Sequence, residues 1–104
     1  TQLWPWIEVA GHWDELILRS TLPHTNEIYQ KGSTESLRRP DDLLALYESR
    51  EGPLPDGSAL FCGTLPVQGE VRFADEMLLE LIDPVRDRVL SHRYCVDVLS
   101  IVEA

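Results

Sequence analysis

Met77-Leu78-Leu79-Glu80-Leu81-Ile82-Asp83-Pro84-Val85-Arg86-Asp87-Arg88-Val89-Leu90-Ser91-His92-Arg93-Tyr94, continuing through Cys95 to Leu99, decides the fold class. An apolar run over 77–82 meets a turn-forming stretch, Asp83 to Asp87, and the chain then returns in alternation, with Leu90, His92, Tyr94, Val96 and Val98 on one side. That pattern predicts an antiparallel hairpin.

Working outward, the hairpin needs neighbours, because two strands alone do not hold together in water. Glu15 to Ser20 alternates, with Glu15, Ile17 and Arg19 opposite Leu16 and Leu18, and predicts a strand. Turn residues Pro23 to Asn26 then lead to Glu27-Ile28-Tyr29-Gln30, a second short strand closed by Gly32. Leu54-Pro55-Asp56-Gly57-Ser58-Ala59-Leu60-Phe61-Cys62-Gly63-Thr64 predicts a turn followed by an internal strand, apolar on both sides. Trp4, Trp6, Ile7 and Val9, interrupted by Pro5, predict an edge strand or extended arm that docks on the domain or on a partner.

The period changes once. Pro40 suits a first helical position, Asp41 and Asp42 suit the positive end of a helix dipole, and Leu43, Leu46 and Tyr47 share a face. Gly52-Pro53 stops that helix. The expected class is therefore mainly β with one short helix, an α+β domain spanning 1–104.

Composition limits the partners. The 104 residues suffice for one core, and nine Lys and Arg against eighteen Asp and Glu give a net charge of −9. Such a charge disfavours phosphate backbones and anionic membrane surfaces. No run is long and apolar enough to span a bilayer and no basic leader precedes an apolar core, so a soluble, cytoplasmic protein is expected. Cys62 and Cys95 sit in apolar runs and read as buried free thiols.

Chemistry is sparse. His12 and Asp14, two apart, are candidates for a metal pair or an oriented imidazole, but with no third ligand nearby they read as bonded to backbone at a strand entry. Asp75, Glu76, Glu80 and Asp83 have the oxygens that a hard cation needs, yet their spacing reads as a solvated rim. Ser20, Ser58 and Thr64 are nucleophile candidates only beside a base, and His12, His24 and His92 cannot be placed there from sequence.

Taken as an ordered series, the motifs resemble the C-terminal part of the fumarylacetoacetate hydrolase superfamily. Trp4-Pro5-Trp6-Ile7 is similar to its entry, Leu16-Ile17-Leu18 to its strand, and Asn26-Glu27 through Gln30-Lys31-Gly32-Ser33 to its turn and glutamine. Asp41 to Tyr47 is similar to its helix, and Leu54-Pro55-Asp56-Gly57 with Leu60-Phe61-Cys62-Gly63-Thr64 to its final loop. Asn26 lacks a following glycine, Cys62 replaces a threonine, Leu65 intrudes before Pro66, and Ala74-Asp75 replaces a Gly-Asp pair. Those departures point to a divergent bacterial branch, a domain of unknown function.

The resemblance implies a mixed or antiparallel β-roll and, in a complete protein, a magnesium- or calcium-dependent hydrolase, decarboxylase or hydratase of small oxo-acids. No Glu-x-Glu pair is present and Lys31 is the sole lysine, misplaced for that chemistry. The implied reading is thus a C-terminal fragment, inactive alone, with no metal or cofactor of its own and no catalytic residue. Gly63 and Thr64 are its implied substrate-binding positions, Thr64 donating to a substrate carboxylate or carbonyl. Strand edges left bare by a missing half imply a homo-oligomer. The alternative, of a different class, is a non-catalytic β-rich interaction or dimerisation module that uses the Trp4 and Trp6 arm.

Overall fold

The computed structural model describes residues 2–100. Four strands, β1 (Ile17–Leu22), β2 (Glu27–Ser33), β3 (Glu76–Asp83) and β4 (Arg88–Cys95), form one open antiparallel sheet in the order β2-β1-β3-β4. The α+β class and the hairpin of β3 and β4 are as the alternation predicts. The sheet is antiparallel throughout and does not close into a roll.

Two α-helices accompany it, α1 (Trp6–Val9) and α2 (Pro40–Glu51), with 3-10 turns at Ala10–Glu15 and Thr34–Ser36. Helix α2 starts at Pro40 and ends where Gly52 takes φ 82°, a conformation cheap only for glycine. No residue of α2 is buried, and Leu43, Leu46 and Tyr47 of its apolar face line an open cleft together with Leu60.

Three expectations are overturned. The N-terminal arm is helical: Glu8 N–H donates to the Pro5 carbonyl at 3.0 Å, and the chain coils through Glu15 before β1 begins at Ile17. Its tryptophans dock on their own domain, Trp4 under Arg88 and Trp6 edge-on to Trp13 beneath Arg39. The 59–62 stretch forms no strand, and Phe61 is 95% exposed. Turn geometry at Gly57 and Gly63, both at positive φ, keeps it too short and too bent to enter a ladder. Finally, β4 stops at Cys95, and Val96 N–H bonds the Asp75 carbonyl instead of continuing the pairing.

The sheet register sets the site. Gly32, Leu18, Leu81 and Leu90 form one cross-strand row, and Gln30, Ser20, Leu79 and His92 form the next, so all eight share a face. The other face carries Ile17, Ile82 and Val89, with Arg19, Glu80 and Ser91 in the adjacent row. Both faces therefore bear apolar side chains, yet among the described residues the buried apolar ones are few: Val9, Leu16, Leu22, Tyr29 and Leu65.

Candidate functional site

Three arrangements could carry function, and they lie at different places on the sheet. At its lower end Asp83 is wholly buried. Its Oδ1 accepts from the Val85 and Arg86 N–H groups at 3.1 Å each, its Oδ2 accepts from Arg88 Nε at 3.0 Å, and His12 Nε2 lies 3.0 Å from Oδ1 at an angle poor for a hydrogen bond. Glu8 adds bonds from Arg86 and Arg88. Burial alone pushes the Asp83 carboxyl up, but the close approach of His12 and the bonds from the Arg86 backbone and Arg88 outweigh it and hold the group at about 2. A carboxylate so fully engaged cannot bind or transfer a proton near neutrality, and its work is to tie α1 and the N-terminal coil onto the hairpin.

That cluster corrects the reading of the acids as a solvated rim. Asp83 is buried, Glu80 accepts from Arg19 at 2.8 and 3.0 Å, and Glu76 accepts from Arg93 at 2.5 and 2.7 Å. His12 meets a side chain and not backbone, while the Asp14 carbonyl accepts from Ser33 Oγ. Among the described residues no group of His, Cys, Asp and Glu could hold a metal ion.

The second arrangement joins β1, β2 and the loop after Gly63. Ser20 Oγ donates to Gln30 Oε1 at 2.9 Å, and Gln30 Nε2 donates to the Leu65 carbonyl at 2.6 Å and to Thr64 Oγ1 at 3.2 Å. Thr64 is thus an exposed acceptor for Gln30, and Gly63, also exposed, stands beside Leu37. Ser20 is buried and spends its proton on Gln30. Sequence reasoning missed this Ser20–Gln30 pairing, because a regular hairpin about Pro23–Asn26 sets Ser20 opposite Tyr29 and only the bulge at Tyr29 brings Gln30 there.

The third is a groove of about 610 Å³ on the sheet face that carries Leu18, Leu79, Leu81, Leu90 and His92, with Gln2 beside them. His92 stacks on Tyr94 with ring centroids 6.2 Å apart. Glu80 and Ser91 also line the groove, where the Glu80 carboxylate is taken by Arg19, so its lining is mainly apolar with a few polar groups.

Residues 1–94 match a protein family described as a protein of unknown function, DUF2848. The chain belongs to that family. No curated protein and no solved structure matches it. The likeness to fumarylacetoacetate hydrolases is thereby corrected, since the matching family is DUF2848 and no comparison leads to the hydrolases. The motifs behind that likeness are short and made of turn residues, which recur wherever strands end. In this DUF2848 chain the free thiols are Cys62, half-buried, and Cys95, exposed, so neither is the deeply buried thiol that its apolar neighbours predict. No helix among the described residues is long and apolar enough to cross a membrane.

Proposed function

We propose that this chain is a non-catalytic β-rich interaction module, which offers an open antiparallel sheet to a protein partner. One observation carries the reading. The accessible surface is 8083 Å², whereas a folded monomer of this mass exposes roughly 5,900 Å². The radius of gyration, 16.4 Å, likewise exceeds the about 13 Å of a compact chain of this length. A plate of 43 × 42 × 26 Å with apolar rows on both sides has surface to cover.

The place of contact differs from the arm that the sequence suggests. Trp4 and Trp6 are engaged by Arg88 and Arg39, while Leu79 and Leu90 stand in the groove. Free thiols at Cys62 and Cys95 support a reducing, cytoplasmic compartment.

Binding of an apolar fluorescent dye, followed with sedimentation, tests the reading. The wild-type chain binds the dye, and Leu79→Lys with Leu90→Lys lowers that binding while far-UV circular dichroism is kept. A chain that binds no dye and stays monomeric has its apolar surface covered from within, and the reading fails.

A further inference from the structure

The two edges of the sheet are treated differently by the chain. On the β2 side the outer edge is blunted: a bulge at Tyr29 breaks the ladder, Gln68 N–H donates to the Tyr29 carbonyl at 2.7 Å, and Gln30 reaches the Leu65 carbonyl. Arg72 N–H closes the same side by donating to the Tyr29 hydroxyl at 3.1 Å. On the other side β4 runs eight residues in unbroken register with β3 and, among the described residues, nothing pairs with its outer side. It contains no proline and no bulge. Its two charged residues, Arg88 and Arg93, are engaged by Asp83 and Glu8 and by Glu76, so the charged side chains that protect an edge are here tied back to the chain's own carboxylates.

We propose that a second copy of this chain docks on β4, pairing its own β4 antiparallel across a twofold axis to make one continuous sheet. This rests on the interaction-module reading and names its partner. Three observations select a second copy. The surface in excess of a compact monomer, about 2,000 Å² over the whole chain, exceeds the roughly 800 Å² that one side of a standard interface buries, and β4 contributes the exposed Val89 and Tyr94 to it. The strand has no carboxylate in a chain of net charge −9, and its arginines are paired within the chain, Arg88 with Asp83 and Glu8 and Arg93 with Glu76, so little like charge is left to oppose a twin strand. Its sequence is also self-compatible: with Ser91 on the axis, Val89 faces Arg93 and Leu90 faces His92, and no like charges meet.

Antiparallel pairing keeps directly opposed side chains on one face. Leu90 and His92 of both copies consequently lie on the groove face, and the two grooves merge across the axis. Each copy completes the wall that its neighbour leaves open, which makes the merged groove a property of the dimer.

Ser91 provides the test. Within its own chain it faces Glu80, so Ser91→Lys suits the fold. Across the axis the new lysine meets its twin, or Arg93 if His92 lies on the axis, and either way like charges are opposed. Sedimentation velocity over a wide concentration range is expected to show a monomer–dimer equilibrium that Ser91→Lys weakens by about tenfold or more. Ser91→Glu, which faces Glu80 within its own chain and is therefore first checked for its fold by far-UV circular dichroism, weakens the dimer too when Ser91 is central and strengthens it when His92 is. Hydrogen exchange gives a reading without substitution: amides of residues 88–95 that point away from β3 gain protection as the dimer forms. A wild-type chain that stays monomeric with those amides unprotected overturns the second-copy proposal, and so does a dimer indifferent to Ser91→Lys. Dye binding by such a monomer leaves the broader interaction reading standing.

Discussion

Arg88 Nε lies 3.0 Å from Asp83 Oδ2, and the two residues are directly opposed at the closed end of the β3–β4 hairpin. The same carboxylate caps the turn through the Val85 and Arg86 N–H groups and faces His12 from the N-terminal coil. One buried group thus joins the turn, the ladder and the coil. Asp83→Ala leaves Arg88 and two backbone donors without their acceptor and His12 without the carboxylate it faces, and a loss of about 3–5 kcal/mol in unfolding free energy is expected from urea titration. Asp83→Asn, which keeps an acceptor oxygen for the turn, is expected to lose less.

Acid sensitivity follows from the same residue. Its folded-state value of about 2 lies below the ordinary 3.8, so the folded protein holds this proton more weakly than the unfolded chain does. The stabilisation is complete above about pH 4 and is lost as the pH falls through about 2. Urea titrations across that window are expected to show a steeper decline in wild type than in Asp83→Asn. Parallel slopes would remove Asp83 from the explanation.

Gln30 and Thr64 are expected to behave differently although they touch. Gln30→Leu strands the buried Ser20 hydroxyl and the Leu65 carbonyl, a cost of about 1–3 kcal/mol. Thr64→Val removes one exposed acceptor and is expected to stay within about 0.5 kcal/mol. Thermal melts of the two variants check the contrast.

Gly32 marks a close approach. A Cβ there would sit 3.3 Å from Leu65 Cδ1, and Leu65 is one of the few buried apolar side chains. Gly32→Val is expected to cost about 1–3 kcal/mol by displacing it. The combination with Leu65→Ala, which opens room, is expected to cost less than the sum of the two.

The thiols separate by reactivity. Cys95 is exposed, whereas burial pushes the Cys62 thiol above its ordinary value. Modification by an aromatic disulfide near neutral pH is expected to proceed faster at Cys95, and mass spectrometry of the partly modified chain identifies the site.

Much of the sheet could be read from local pattern. The apolar run over 77–82 and the alternation that begins at Arg88 mark the hairpin, turn residues at 23–26 mark the other, and Pro40 with Gly52 bracket α2. The arm and the 59–62 stretch misled because apolar residues beside proline and glycine look like strands when read alone. A strand needs a neighbouring strand to pair with, whereas the arm closes its own turn from Glu8 to Pro5 and the Cys62 carbonyl accepts from Arg38 in a loop. Likewise Asp83 looks like any carboxylate of an acidic run, and only the approach of His12, some seventy residues away in the chain, reveals it as buried.

By itself the sequence determined the secondary-structure periods, the acidic charge and the class of fold, because each depends on residues near one another. Tertiary structure alone decided which strand lies at each edge, which carboxylate is buried, and that Thr64 serves Gln30. Those outcomes depend on groups far apart in the chain competing for the same hydrogen bonds and the same apolar surface, and that competition is settled only when β1 inserts between β2 and β3.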